Sequence, residues 1–212
     1  MMSQPTIQRY VALGDSLSAG IWDWGQGDRA YGFTALLADL LRQSAPELQF
    51  TNLGVGGART ADVVGQQLDA ALAREPDLVT LVVGANDLPG TPTGEFQRSY
   101  SELIGRLRLG VHGLVAVANI PQMVHLLPQQ YATYRFALGR RIDEFNRIIA
   151  DTAAAHGILL VDLYSNPASH DPRNLSSDNV HPNPRGYREM ARAFVTTLNQ
   201  AGYALPLPEI DA

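Results

Sequence analysis

The chain has 212 residues, 45% of them apolar and 17% charged, with a formal net charge of −5. That length and composition suit one folded unit with a sizeable core and exclude a disordered chain, while the acidic balance gives no support for a nucleic-acid or anionic-membrane partner. Cysteine and lysine are both absent, which excludes disulfides, thiolate catalysis, cysteine metal sites, lysine Schiff bases and a Ser–Lys dyad.

The first apolar run, Arg9 to Leu13, reads as a strand stopped by Gly14. Before it, Met1 to Arg9 carries no apolar signal core, which predicts a cytoplasmic chain. Tyr31 to Arg42 places Phe33, Leu36, Leu37, Leu40 and Leu41 at helical spacing. A second strand is expected at Leu48 to Leu53. Thr60 is then read as the cap of a helix with Val63, Val64, Leu68, Ala71 and Leu72 on one face. The near-continuous apolar run Leu78 to Val83 suits a buried parallel strand. A helix from about Phe96 to Leu109 and a strand from Leu114 to Ile120 follow. A long helix runs from about Arg135 to His156, with Gly157 as its C-cap, and leads to a fifth strand at Ile158 to Asp162. The last helix begins near Pro184, where proline suits the first turn. All the apolar runs are strand-length, so no integral membrane association is expected. Strands alternating with helices predict one α/β domain over residues 1–212, with a parallel sheet covered on both faces.

In such sheets ligands bind beyond the carboxyl ends of the strands. Four segments fall there: Gly14-Asp15-Ser16-Leu17-Ser18, the glycine-rich stretch Asn52 to Gly57, Gly84-Ala85-Asn86-Asp87, and Asp178-Asn179-Val180-His181-Pro182. Acyl transfer needs a nucleophile, a base, an orienter for the base and donors for the oxyanion. Ser16 is a hydroxyl at a strand-to-helix turn. His181 can take its proton. Gly56 can present a backbone N–H at close approach, and Asn86 a side-chain amide. Two carboxylates compete to orient the histidine: Asp178, three residues before it, and Asp162 at the end of a strand. From composition alone, Gly-Asp-Ser is expected about 0.06 times, Gly-x-Asn-Asp about 0.05 and Asp-x-x-His about 0.3, or roughly one in a thousand jointly.

These four segments resemble the four sequence blocks of the SGNH hydrolases, also called the GDSL esterase/lipase family. The resemblance spans nearly the whole chain. It implies a three-layer α/β/α, flavodoxin-like fold with a five-stranded parallel sheet, and no metal or organic cofactor. It implies a triad of Ser16, Asp178 and His181, selecting Asp178 over Asp162. It assigns the oxyanion hole to Ser16 N–H, Gly56 N–H and the Asn86 side chain. The implied activity is hydrolysis of a small-molecule carboxylic ester of short or medium acyl chain through an acyl-enzyme. A carbohydrate acetyl esterase and a non-catalytic binding module on the same fold are the alternatives. Ser16 lies outside a G-x-S-x-G elbow, so an ordinary α/β-hydrolase is not expected. The glycine stretch matches neither a P-loop nor G-x-G-x-x-G, which weighs against nucleotide binding.

Each residue also has a plainer reading. Ser16 can simply cap a helix. Asp15 and Asp87 can brace their turns, and Gly56 and Gly57 can serve a tight turn. His112, His125, His156 and His170 lack a partner pattern, and none has the spacing of a zinc site. Two loops are expected at the active-site end: Ile21 to Gly27, with Trp22 and Trp24, and Pro121 to Pro128, with Met123 and Leu126. They read either as a substrate-binding wall or as packing over the sheet edge and a subunit interface. The sequence specifies no oligomeric state.

Overall fold

The computed structural model describes residues 6–21, 32–122, 124 and 132–210. Five strands form one parallel sheet: β1 (Arg9–Gly14), β2 (Gln49–Asn52), β3 (Leu78–Val82), β4 (Leu114–Ala118) and β5 (Leu159–Val161). Their order is β2-β1-β3-β4-β5, the flavodoxin-like arrangement, so the order reverses between β1 and β3. The crevice beyond the carboxyl ends at that point collects the loops that leave β1 and β3.

Among the described residues, seven α-helical segments accompany the sheet: α1 (Ser16–Ala19), α2 (Phe33–Arg42), α3 (Thr60–Asp62), α4 (Leu68–Leu72), α5 (Thr93–Gly110), α6 (Ala132–Ala155) and α7 (Pro184–Gln200). Side chains of a strand alternate between its two faces, and the core divides accordingly. Val11, Leu13, Val79, Leu81, Val115 and Val117 pack with residues of α4, α5 and α6 on one side. Tyr10, Ala12, Leu78, Val82, Ala116 and Ala118 pack with residues of α2 and α7 on the other. Stacked rings anchor each layer: Phe96 on Phe145 at 3.9 Å between centroids, and Phe33 on Phe194 at 4.6 Å. Among the described residues no helix is long and apolar enough to cross a membrane.

The expected elements form, with local differences. Thr60 is the first residue of α3 and not its cap: Arg59 holds the cap position. The Thr60 N–H and hydroxyl both donate to Asp87, at 2.9 and 3.0 Å, so a distant carboxylate takes the donors that a cap would have served. The helix read from Thr60 onward is also interrupted, by a π-helical turn at Val63–Gln67. Helix α5 begins at Thr93, three residues earlier than its apolar pattern, because the Pro92 carbonyl accepts from the N–H groups of Glu95 and Phe96. Gly157 ends α6 with φ of 62°, as its cap reading requires.

Among the described residues, the Tyr100 hydroxyl is the buried side-chain polar atom without a hydrogen-bond partner, and burial raises its pKa. A buried unsatisfied hydroxyl costs about 1–3 kcal/mol. Tyr100→Phe is therefore expected to stabilise the protein by about 1 kcal/mol, raising the melting temperature by about 2–4 °C. A lowered melting temperature would show that the hydroxyl finds a partner.

Candidate active site

Strand β1 ends in a turn that only glycine fits. Gly14 has φ of 131°, and a Cβ there would lie 2.0 Å from the Val82 carbonyl oxygen. Its backbone is held by a side chain from far away in sequence. Gln67 accepts from the Gly14 N–H at 2.8 Å and donates to the Gly14 carbonyl at 2.9 Å. Gln67 belongs to the π-helical turn and is 3% exposed. The Asp15 N–H then reaches the Val82 carbonyl at 3.0 Å.

Asp15 is the N-cap of α1, accepting from the Leu17 N–H at 3.0 Å, and Ser16 is the first helical residue. The plain reading of Ser16 as a cap is thereby corrected, since the longer-reaching carboxylate of Asp15 takes that position. Behind α1, the Ser18 hydroxyl donates to the Leu13 carbonyl, while Thr34 and Asn52 both donate to the Ser18 carbonyl. Asn52 also accepts from the Gly54 N–H at 3.0 Å, which ties the loop after β2 to the loop after β1.

A cavity of about 400 Å³ opens at the crevice, and Ser16, Gly56, Gly57, Asn86, Val180 and His181 are among its walls. A Cβ on Gly56 would lie 2.7 Å from the end of the Ile21 side chain, which would have to shift to make room for it. No hydrogen bond among the described residues uses the Ser16 or Gly56 N–H. The Asn86 amide donates once, to the Ala58 carbonyl at 3.1 Å. That bond fixes the amide plane and leaves its second N–H uncommitted among the described residues.

Asp178 and His181 share a loop braced against α7. Asp178 Oδ2 lies 2.6 Å from His181 Nδ1, and the Asp178 side chain is fully shielded from solvent. Its Oδ1 accepts from the N–H groups of Val180 and His181 and from the Ser176 hydroxyl. Burial pushes the Asp178 carboxyl up, but these bonds, with that from the His181 ring, outweigh it and hold the carboxyl well below its usual range. The loop returns to α7 through Asn183, the helix cap, whose amide donates to the carbonyls of Arg173 and Leu175. Gly186 makes the contact possible, since a Cβ there would lie 2.2 Å from the Asn174 carbonyl.

Asp162, the competing acid, instead accepts from Asn119 and from the Ser165 N–H, bracing the turn after β5. Asp87 braces α3 through Thr60. Trp22, Trp24, Met123 and Leu126, expected as a substrate wall, lie outside the described residues. Sequence reasoning missed Gln67, Asn52 and Ser176. Gln67 and Asn52 act through bonds to residues far away in sequence, while Ser176 bonds Asp178 two residues on, just outside the block that carries the motif.

Asp15 differs from Asp178 in having little to offset its burial. Burial, aided by the Asp87 charge and opposed by the Leu17 N–H, pushes its pKa up to about 7. Folded Asp15 stays protonated where the unfolded chain ionises, between about pH 4 and 7. Unfolding releases a proton in that window, so stability falls as pH rises through it. Asp15→Asn keeps the Oδ1 acceptor for Leu17. Urea midpoints from pH 4.5 to 7.5 should drop less in this variant than in the wild type; parallel curves would show that Asp15 is ionised in the fold.

The chain is similar to proteins of known kind. Residues 12–189 match the sequence model of the GDSL-like Lipase/Acylhydrolase family. The acetylxylan esterase of Geobacillus stearothermophilus is 24% identical, over 89% of this chain and 92% of that protein. The arylesterase of Vibrio mimicus is 25% identical, over 84% of this chain and 81% of that protein. The crystal structure of TesA superposes with a TM-score of 0.74, covering 91% of this chain and 99% of TesA at 24% identity. With a family match over most of its length and relatives that are esterases, the chain belongs to the GDSL-like lipase/acylhydrolase family and is an ester-hydrolysing enzyme.

Proposed function

We propose that the protein hydrolyses carboxylic esters of short or medium acyl chain through an acyl-enzyme on Ser16, with His181 as general base and Asp178 as its orienter. The observation that carries this reading is the 2.6 Å contact between Asp178 and His181 Nδ1 on the wall of a cavity that Ser16 also lines. With Nδ1–H directed at an ionised carboxylate, Nε2 is the basic nitrogen. The Ser16 hydroxyl has no hydrogen bond among the described residues, and such contacts commonly tighten only when substrate binds.

Ser16 Oγ attacks the ester carbonyl carbon while His181 Nε2 takes its proton. The carbonyl oxygen becomes an oxyanion facing the N–H groups of Ser16, Gly56 and Asn86. His181 then gives the proton to the leaving alkoxide, releasing the alcohol and leaving an ester on Ser16. Water attacks that ester, again through His181, and releases the acid. Asp178 stays ionised throughout, as its hydrogen bonds favour.

One observation favours a second substrate class. The acetylxylan esterase relative supports acetylated sugars. Rates on p-nitrophenyl acyl esters and on acetylated xylan separate the two. For the mechanism itself, a fluorophosphonate probe should label the wild type and leave Ser16→Ala unlabelled; equal labelling of both would remove Ser16 from the nucleophile role. Asn86→Ala should lower kcat by about 10²–10³, as for one lost oxyanion donor, and a change under about tenfold would remove Asn86 from the hole.

A further inference from the structure

A second, smaller pocket of about 50 Å³ adjoins the catalytic cavity. Leu17 and Val180 wall both. One follows Ser16 directly and the other precedes His181, so the two spaces meet at the immediate neighbours of nucleophile and base. The remaining wall is predominantly apolar. Leu175 and Pro182 come from the loop that carries His181, Leu163 from beyond β5 and Met190 from α7. Gly56 and Asn86 line only the larger cavity.

We infer that this pocket receives the alkyl arm of the leaving alcohol, which makes the substrate an ester of a small apolar alcohol. The inference rests on the esterase reading above. In the tetrahedral intermediate one oxygen faces Gly56 and Asn86, and the leaving oxygen must come within reach of His181 Nε2 to be protonated. The alcohol substituent therefore departs on the side of the His181 loop, and that loop walls the small pocket. The acyl substituent keeps the larger cavity. Asn166, Ser169, Asn174 and Glu189 also line the pocket, but its mostly apolar wall favours an alkyl group over a sugar, whose several hydroxyls would not all keep hydrogen-bond partners there. At roughly 10–15 Å³ per water-sized group, the space admits about three or four heavy atoms, the size of a propyl or butyl chain.

The test is kcat/KM on methyl, ethyl, butyl and octyl acetates. All give the same acetyl-enzyme, so kcat/KM reports acylation, when the alcohol is still attached. The value is expected to rise about tenfold or more from methyl to butyl, and no further to octyl. Ala168, on the wall away from the catalytic residues, provides a filling variant. Ala168→Phe should reduce the butyl preference below about twofold while methyl acetate stays within about threefold of wild type. Met190→Ala should move the optimum to a longer alcohol, and it decides alone if Ala168→Phe does not fold. A flat alcohol series in the wild type overturns the inference, as does a gradient that neither variant changes. So does a response confined to a matched series of methyl esters with lengthening acyl chains, which would assign the pocket to the acyl group. In those cases Ser16-dependent probe labelling and hydrolysis persist. Loss of both in the wild type overturns the esterase reading and the pocket together.

Discussion

The exit of β1 constrains everything that follows it. At Gly14 the chain must leave the sheet, turn against the Val82 carbonyl with φ of 131° and still satisfy its own N–H and carbonyl. Strand β2 pairs with β1 only as far as Ala12, and the loop after it still donates from Val55 to the Gly14 carbonyl at 3.0 Å. The Gln67 amide supplies the acceptor for the Gly14 N–H and a second donor to the Gly14 carbonyl. A buried N–H left open would cost about 1–3 kcal/mol. With both groups held, the direction in which Asp15 and Ser16 emerge is set by a rigid element and not by loop preference. The π-helical turn at Val63–Gln67 has a physical role here, since it ends in the residue that makes the clamp. Such turns are frequent where a helix serves a site.

Asp15 and Asp178 show how one crevice pushes two carboxylates in opposite directions. Both are shielded from water. Asp178 is surrounded by donors, two from backbone, one from Ser176 and one from the His181 ring, so its charge is stabilised. Asp15 has the Leu17 N–H and the repulsion of Asp87, so its neutral form is favoured. The deeper burial of Asp15 and the larger number of donors around Asp178 together separate them. That division suits the proposed chemistry, because a second fixed anion beside Ser16 would oppose charge development on the oxyanion. When protonated, Asp15 still caps α1 through its Oδ1, so the turn keeps its shape without adding charge to the crevice.

The legible part of the molecule is the part written in local pattern. The runs at Tyr10 to Leu13 and Leu78 to Val82 announce buried parallel strands because both faces are covered. The blocks around Ser16 and Asn86 are legible because each follows the end of such a strand, and the block around His181 because it precedes the proline that opens α7. What was hidden is what joins the blocks. Gln67 is 53 residues from Gly14, Asp87 27 residues from Thr60, and Asn52 34 residues from Ser18. Polar side chains that satisfy distant backbone leave no periodicity and no fixed spacing, so Gln67 reads as one more polar residue on an amphipathic helix. Thr60 shows the same limit from the other side. It has the composition of a cap, but a carboxylate from another loop takes its donors.

The topology also separates what is fixed from what can vary. The proposed oxyanion donors come from the loops after β1, β2 and β3, next to one another in the sheet and bound together through Gln67, Asn52 and the Thr60–Asp87 contact. Their geometry must match one developing charge, which every ester presents alike. The His181 loop comes from the other edge, beyond β5, and is seated on α7 through Asn183 and the space at Gly186. Only its His–Asp pair must be placed for chemistry; the residues around that pair face whatever group departs. Selectivity can therefore change through Val180, Leu175 or Met190 without touching the donors on the opposite side of the crevice. In the proposed mechanism the switch between β1 and β3 positions the reaction, and the far edge of the sheet supplies the surface proposed to receive the alcohol.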